Sequence, residues 1–267
     1  MVTLGCIAAP ELAPDRFLSV ARAADAAGVE ELWLWEDCFK ESGIAAAGAV
    51  LAATSRIRVG LGVLPTPLRN VALTAMELAT LEGMFPGRLV PGLGHGVQGW
   101  MGQVGARAAS PLTLLREQVE ALRALLRGER VTVSGRYVTL DDVALDWPPA
   151  SPPPVLSAGE GPKTLRLVGE VADGVVLTGS TTPDGVRAAL ALIAEGREAA
   201  GRSGPFTVCS FVPLPPPVRA RGAEATADHL RAWADAGATT VAVLPLDGHA
   251  EDVAAWLGTD VAPLLAG

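Results

Sequence analysis

The chain has 267 residues, 49% of them hydrophobic and only 4% aromatic, with a formal net charge of −8. That length suits one large domain or two small ones, with ample Ala, Val and Leu for a core. The acidic balance and the lack of any Lys/Arg run argue against nucleic acid or an anionic membrane as partner, and Cys6, Cys38 and Cys209 are too scattered for a disulfide framework or a metal cluster.

Residues 4–8 read as a strand. A helix follows over 15–27, with Pro14 ahead of it and Gly28 to stop it. Residues 31–35 make a second strand and 44–53 a helix of small residues. The third strand, 57–64, ends at Pro65. Over 71–85 the side chains of Val71, Ala75, Leu78, Leu81 and Phe85 share one helical face. Strand four is 89–93, and Ser110-Pro111 opens a helix over 112–126. Residues 128–153 break the rhythm with a small hairpin over 131–137 and a Pro-rich connector. This excursion is too small to bury a core of its own. Strand five is 154–157, followed by a helical stretch that begins near Pro162. Strand six is 174–177, with a helix over 182–200. Strand seven is 207–212, with a helix over 223–236. Strand eight is 240–244, and a terminal helix starts near Ala250.

Eight apolar strands, nearly all followed by helices, predict a closed α/β (β/α)8 TIM barrel spanning 1–267 as one domain. An open doubly wound sheet is the alternative. Its usual Gly-rich first turn is missing, since Ala8-Ala9-Pro10-Glu11 follows the first strand. No secretory signal and no membrane-length apolar run are seen, so a reducing, cytoplasmic setting is expected.

The most informative stretch is 154–179. A short strand ends in Ser157, Ala158 and Gly159, and Gly161-Pro162-Lys163-Thr164 then opens a helix. The next strand ends in Thr178-Gly179. Bare N–H groups at a helix start favour an anion, so a ligand phosphate is expected here; an ordinary tight turn has the same pattern.

In a barrel the chemistry sits at the C-terminal strand ends. Glu36 and Asp37 follow strand two directly and read either as acid/base groups or as caps and ion-pair partners. His95, between Gly94 and Gly96, reads either as catalytic or as a loop-ordering hydrogen bond. Cys38 carries no mark of an activated thiol. Gly60 and Gly62 suggest a bulge, or a flat ligand close to the backbone, or tight barrel packing. The Gly-rich loop from His95 to Ala109, with Trp100 and Met101, reads as a lid. No metal motif is present, and no metal is expected.

Taken in order, these segments resemble the luciferase-like family of flavin- and deazaflavin-dependent oxidoreductases. The matching pieces are 31–38 (ELWLWEDC), 56–65 (RIRVGLGVLP), 75–81 (AMELATL), 86–96 (PGRLVPGLGHG) and 161–174 (GPKTLRLVGEVADG). The resemblance implies an oxidoreductase that binds coenzyme F420 at the barrel mouth and passes hydride to or from its substrate, or alternatively an FMN-dependent luciferase-like monooxygenase. It implies that the turn of Gly161, Pro162, Lys163 and Thr164 holds the cofactor phosphate, with Ala158, Gly159, Thr178 and Gly179 also binding the cofactor. It also implies that Gly60, Leu61, Gly62 and Val63 back the ring, often through a non-prolyl cis peptide. The substrate would be a small organic molecule and the assembly a homodimer. One departure matters: many deazaflavin relatives carry Asp-His after strand two, and here the pair is Asp37-Cys38. Glu36, Asp37 or His95 is then left to supply the proton. The other readings are a non-redox barrel enzyme for phosphate-bearing ligands and a non-catalytic flavin-binding paralogue.

Overall fold

In the computed structural model, residues 2–246 and 249–265 are described. The chain runs β1 (Thr3–Ala8), α1 (Phe17–Ala27), β2 (Glu31–Leu34), α2 (Gly43–Ala53), β3 (Arg58–Pro65), α3 (Val71–Met84) and β4 (Leu89–Gly94). It continues with α4 (Gln98–Gln103), α5 (Pro111–Leu126), β5 (Val131–Ser134), β6 (Thr139–Val143), β7 (Leu156–Ala158), α6 (Pro162–Val171) and β8 (Gly174–Leu177). The last part holds α7 (Pro183–Ala199), β9 (Thr207–Leu214), α8 (Pro216–Arg219), α9 (Ala223–Asp235), β10 (Thr240–Pro245), α10 (Ala250–Trp256) and α11 (Ala262–Leu265). Eight parallel strands close a barrel in the order β1-β10-β9-β8-β7-β4-β3-β2, while β5 and β6 form a separate antiparallel hairpin. Closure is made by β1 against β10, with Thr3 opposite Thr240 and Cys6 opposite Val243.

Local chemistry sets the element ends. Gly28 stops α1 in the left-handed region at φ 84°, where a side chain is disfavoured. Asn70 accepts from the Ala72 N–H at 2.9 Å and caps α3, and Thr182 caps α7 through the Gly185 N–H at 3.2 Å. Three features differ from the sequence reading. Strand five begins at Leu156, not Pro154, since three prolines in a row cannot donate to a ladder. The hairpin needs residues 139–143 as its second strand and is pinned to α5 by Glu117, whose carboxylate accepts from the N–H groups of Arg136, Tyr137 and Val138. The expected open loop after β4 contains the short helix α4, anchored by the fully buried Met101.

Strand alternation sorts the core into two layers. Inside the barrel lie Ile7, Trp33, Val90, Leu156, Val176, Cys209, Phe211 and Ala242. The larger layer between barrel and helices is built from Leu, Val and Ala. Trp33 is fully buried, and its indole N–H donates to Glu31 at 2.8 Å; Glu31 in turn pairs with Arg58.

Helices α6 and α7 approach until backbone meets backbone. A Cβ on Gly169 would lie 2.2 Å from the Ile193 carbonyl oxygen, and one on Gly196 would lie 2.0 Å from that of Arg166. Neither oxygen can swing away as a side chain would. Gly196→Leu is therefore expected to lower stability by about 3 kcal/mol or to prevent folding, read from urea melts. A wild-type midpoint would refute this account of the helix crossing.

Candidate functional site

A cavity of about 580 Å³ opens at the C-terminal ends of the strands, within the usual size of small-molecule sites. Trp35, Glu36 and Asp37 enter it after β2. Gly62, Val63 and Pro65 enter from β3, and Gly94, His95, Gly96 and Val97 from the end of β4. Trp100 reaches in from α4. Ala158, Gly159, Glu160, Gly161 and Thr164 come from the β7–α6 turn, Thr178 and Gly179 follow β8, and Phe211 rises from β9.

The glycines of β3 divide. A Cβ on Gly60 would sit 2.3 Å from the Trp33 ring, so this glycine makes room for the indole inside the barrel. Leu61 is buried in the layer under the helices. Neither Gly60 nor Leu61 lines the cavity. Gly62 and Val63 do, and they are joined by a cis peptide beside the register shift between Leu61 and Leu64. A Cβ on Gly62 would meet Phe211 at 2.5 Å.

The β7–α6 turn leaves a bare helix start. Gly161 is the N-cap and makes no side-chain cap; Pro162 follows it. A Cβ at Gly161 would meet nothing within 4 Å. Lys163 and Thr164 thus present N–H groups without a side-chain cap. Pro162 and Lys163 are exposed in the first turn and do not line the cavity, whereas Thr164 does. Glu160 is held across the mouth by the Thr178 hydroxyl, which donates at 2.7 Å.

The acidic pair behind β2 is split by its partners. Glu36 is clamped by Arg69, whose Nη1 meets Oε1 and whose Nη2 donates to Oε2 at 2.9 Å, and the Gly43 N–H adds a bond at 2.8 Å. Arg69 also reaches Glu77 at 3.1 Å. A carboxylate held this way is fixed in place and its oxygens are occupied. Asp37 is different: no hydrogen bond reaches its carboxylate among the described residues. Burial, the largest cause, raises its pKa from the ordinary value, Lys40 draws it down and Glu11 pushes it up again. Cys38 follows, and burial together with the Glu36 and Asp37 charges pushes its thiol up, away from thiolate chemistry.

His95 lies 3.2 Å from the Thr164 hydroxyl through Nε2, which ties the end of β4 to the first turn of α6. Its buried Nδ1 has no hydrogen bond of good geometry. Burial lowers its pKa below the ordinary value, and the nearby Pro111 backbone opposes this only in part. The ring is therefore neutral at pH 7. A histidine depressed on folding contributes stability above its unfolded pKa that is lost as pH falls through the folded value. The melting temperature is expected to drop on acidification below about pH 6.5, and His95→Gln should remove that part of the drop. Equal pH profiles for the two proteins would show that His95 does not titrate in this way.

An aromatic wall completes the site. Trp35 stacks on Phe211 with centroids 5.6 Å apart and planes 18° apart, and Trp33 meets Phe211 edge-on below. The Trp35 indole N–H is buried without a partner. The sequence reading missed Trp35 and Phe211. Inward alternation, two residues beyond Trp33 and Cys209, is the signal that could have found them. Among the described residues no group of His, Cys, Asp and Glu is placed to hold a metal ion, and no helix is long and apolar enough to cross a membrane.

The model of the luciferase-like monooxygenase family matches residues 2–259. A 5,10-methylenetetrahydromethanopterin reductase of Methanolobus tindarius is 33% identical over 183 residues, 68% of this chain and 55% of that protein. An F420-dependent glucose-6-phosphate dehydrogenase of Nakamurella multipartita is 31% identical over 209 residues, 73% of this chain and 61% of that one. The matches thus span less than two thirds of either relative. In fold, the chain resembles an F420-dependent secondary alcohol dehydrogenase solved with an F420-acetone adduct, with a TM-score of 0.88, 20% identity and 99% of each chain covered.

Proposed function

The chain belongs to the luciferase-like monooxygenase family, and from that premise we propose that it is a coenzyme F420-dependent oxidoreductase, passing hydride to or from a small organic substrate at the barrel mouth. The observation that carries this reading is the pairing, in one cavity, of the uncapped start of α6 with the Trp35–Phe211 wall. The names of the two relatives point the same way, one of them to F420 and the other to reduction.

The residues present fit such a group. The buried, unpartnered Trp35 N–H lacks an acceptor, and the space over Gly161 is open. Coenzyme F420, when bound, supplies or accepts a hydride. The Lys163 and Thr164 N–H groups would hold its phosphate with the help of the helix dipole. Gly62 and Val63 would back the ring, and Trp35, Phe211 and Trp100 would keep water from it. Asp37 would hold the proton that the substrate oxygen gains or loses. Glu36, clamped by Arg69, would fix the backbone that carries Asp37, and His95 would set Thr164; both are positioning residues in this reading. A homodimer is proposed with it, supported by the exposed apolar side chains of Met76, Met84 and Trp147. A cytoplasmic setting is proposed because all three cysteines are free.

The test is a side-by-side fluorescence titration of the purified protein with coenzyme F420 and with FMN. Micromolar or tighter binding of the deazaflavin, well ahead of FMN, is the expected result. Preference for FMN, or binding of neither, would overturn the cofactor assignment.

A further inference from the structure

We propose that Glu160 selects the cofactor by charge: its carboxylate, beside the uncapped start of α6, admits a phosphodiester with one negative charge and disfavours a phosphomonoester with two. The inference rests on the F420 reading above. It supplies a physical reason for the site to take coenzyme F420, whose phosphate is a diester, ahead of FMN, whose phosphate is a monoester.

The positive side of the balance is small. Among the described residues, no lysine or arginine lines the cavity. Arg69 lies outside the lining, and its guanidinium is taken by Glu36 and Glu77. Lys40 pairs with Glu11 at 2.6 Å. Lys163 is exposed in the first turn of α6 and is also outside the lining. An anion at this turn therefore meets backbone N–H groups and a helix dipole worth roughly half a positive charge. The negative side is held in place. Glu160 lines the cavity and directly precedes Gly161, the N-cap of α6. The Thr178 hydroxyl donates to its Oε1 at 2.7 Å and lies 3.0 Å from the Ser180 hydroxyl, so the end of β8 fixes the carboxylate beside the turn. The other carboxylates of the lining stand elsewhere. Glu36 is taken by Arg69, and Asp37 follows β2, three strands round the barrel from β7.

Charge arithmetic separates the two phosphates. A phosphomonoester carries about −1.5 to −2 at pH 7, and a phosphodiester, with a further oxygen esterified, carries a single charge. The helix start offsets about half of the diester's charge and about a quarter of the monoester's. Glu160 repels the monoester up to about twice as strongly. Its side chain is exposed, so water and salt screen the repulsion, and a several-fold preference is expected rather than an absolute one. An acid next to a helix start also interacts well with the dipole. That structural role alone would change stability and would not distinguish one phosphate from another.

The test compares FMN with its phosphate monomethyl ester, two ligands that share a ring and differ by one charge, and adds coenzyme F420 as a third. Each is titrated by fluorescence into wild-type protein, Glu160→Gln and Glu160→Asp, with a melting curve on every preparation. Wild-type protein is expected to bind the methyl ester about 3- to 10-fold tighter than FMN. Glu160→Gln should close that gap to less than about 2-fold and hold coenzyme F420 as tightly as before or more so. Glu160→Asp keeps the charge and should keep most of the gap. With F420 binding intact, a gap that is absent, or that survives in Glu160→Gln, would overturn the charge filter and leave the cofactor assignment standing. FMN binding by neither wild-type protein nor Glu160→Gln would overturn it too, because something other than Glu160 would then exclude FMN. Failure of wild-type protein to bind F420 would sink both readings.

Discussion

Replacing Gly161 with aspartate is expected to weaken coenzyme F420 binding by at least ~100-fold while leaving the protein as stable as before, or slightly more so. The two effects separate because the position is both open and an N-cap. A Cβ at Gly161 would meet nothing within 4 Å, and its φ of −80° is ordinary for any residue. Aspartate is among the best N-caps, and in place of glycine it adds a few tenths of a kcal/mol. The same carboxylate would accept the N–H groups offered to a phosphate and set a negative charge against it. A melting curve and a cofactor titration on one preparation check both halves. Unchanged affinity would remove the phosphate from the start of α6; a fall in affinity with a collapsed melting temperature would be a folding defect instead.

Asp37→Asn is expected to lower kcat by about 10²- to 10⁴-fold with cofactor affinity retained, the usual range for loss of a general acid or base. Its pH behaviour carries more information than its size. Burial, as the largest cause, raises the Asp37 pKa, with Lys40 opposing. In the reducing direction the protonated form is the donor, so the wild-type rate should be high at low pH and fall as pH rises through that raised pKa. In the oxidising direction the ionised form is the acceptor, and the rate should climb over the same window. The asparagine variant should show neither limb. Linkage gives a second check: a carboxyl raised on folding contributes stability below its unfolded pKa that is lost as pH rises through the folded one. Asparagine escapes that loss, so the variant should be no less stable at neutral pH. An unchanged pH–rate profile in Asp37→Asn would pass the proton-transfer role to another group.

Glu36 illustrates why two adjacent acids are not one site. In sequence they look alike. In the barrel, Arg69 sits 33 residues further along and occupies one of them only. Cys38 follows Asp37, and its raised thiol pKa sets it apart from the proton-carrying role proposed for Asp37. His95 follows the same logic from the other side: its nearest partner, Thr164, is 69 residues away. That contact with the first turn of α6 exists only once the barrel has closed.

The sequence by itself determined the architecture and pointed to the C-terminal strand ends, where a cavity opens. Alternating apolar runs and helical stripes, punctuated by residues such as Gly28 and Asn70, are local signals within about ten residues, and the barrel follows from their count and order. The bare start of α6 was legible for the same reason, since Gly161-Pro162 acts within one turn. Tertiary structure alone decided which glycines line the cavity. Gly60 and Gly62 lie two apart on one strand and both sit against rings, Gly60 against Trp33 and Gly62 against Phe211, yet only Gly62 also lines the cavity. It also decided the charge of the cavity. Nineteen arginines and two lysines are spread along the chain, and whether any of them lines the mouth depends on pairings across strands. Those pairings are set by packing distances after closure, which spacing along the chain does not encode.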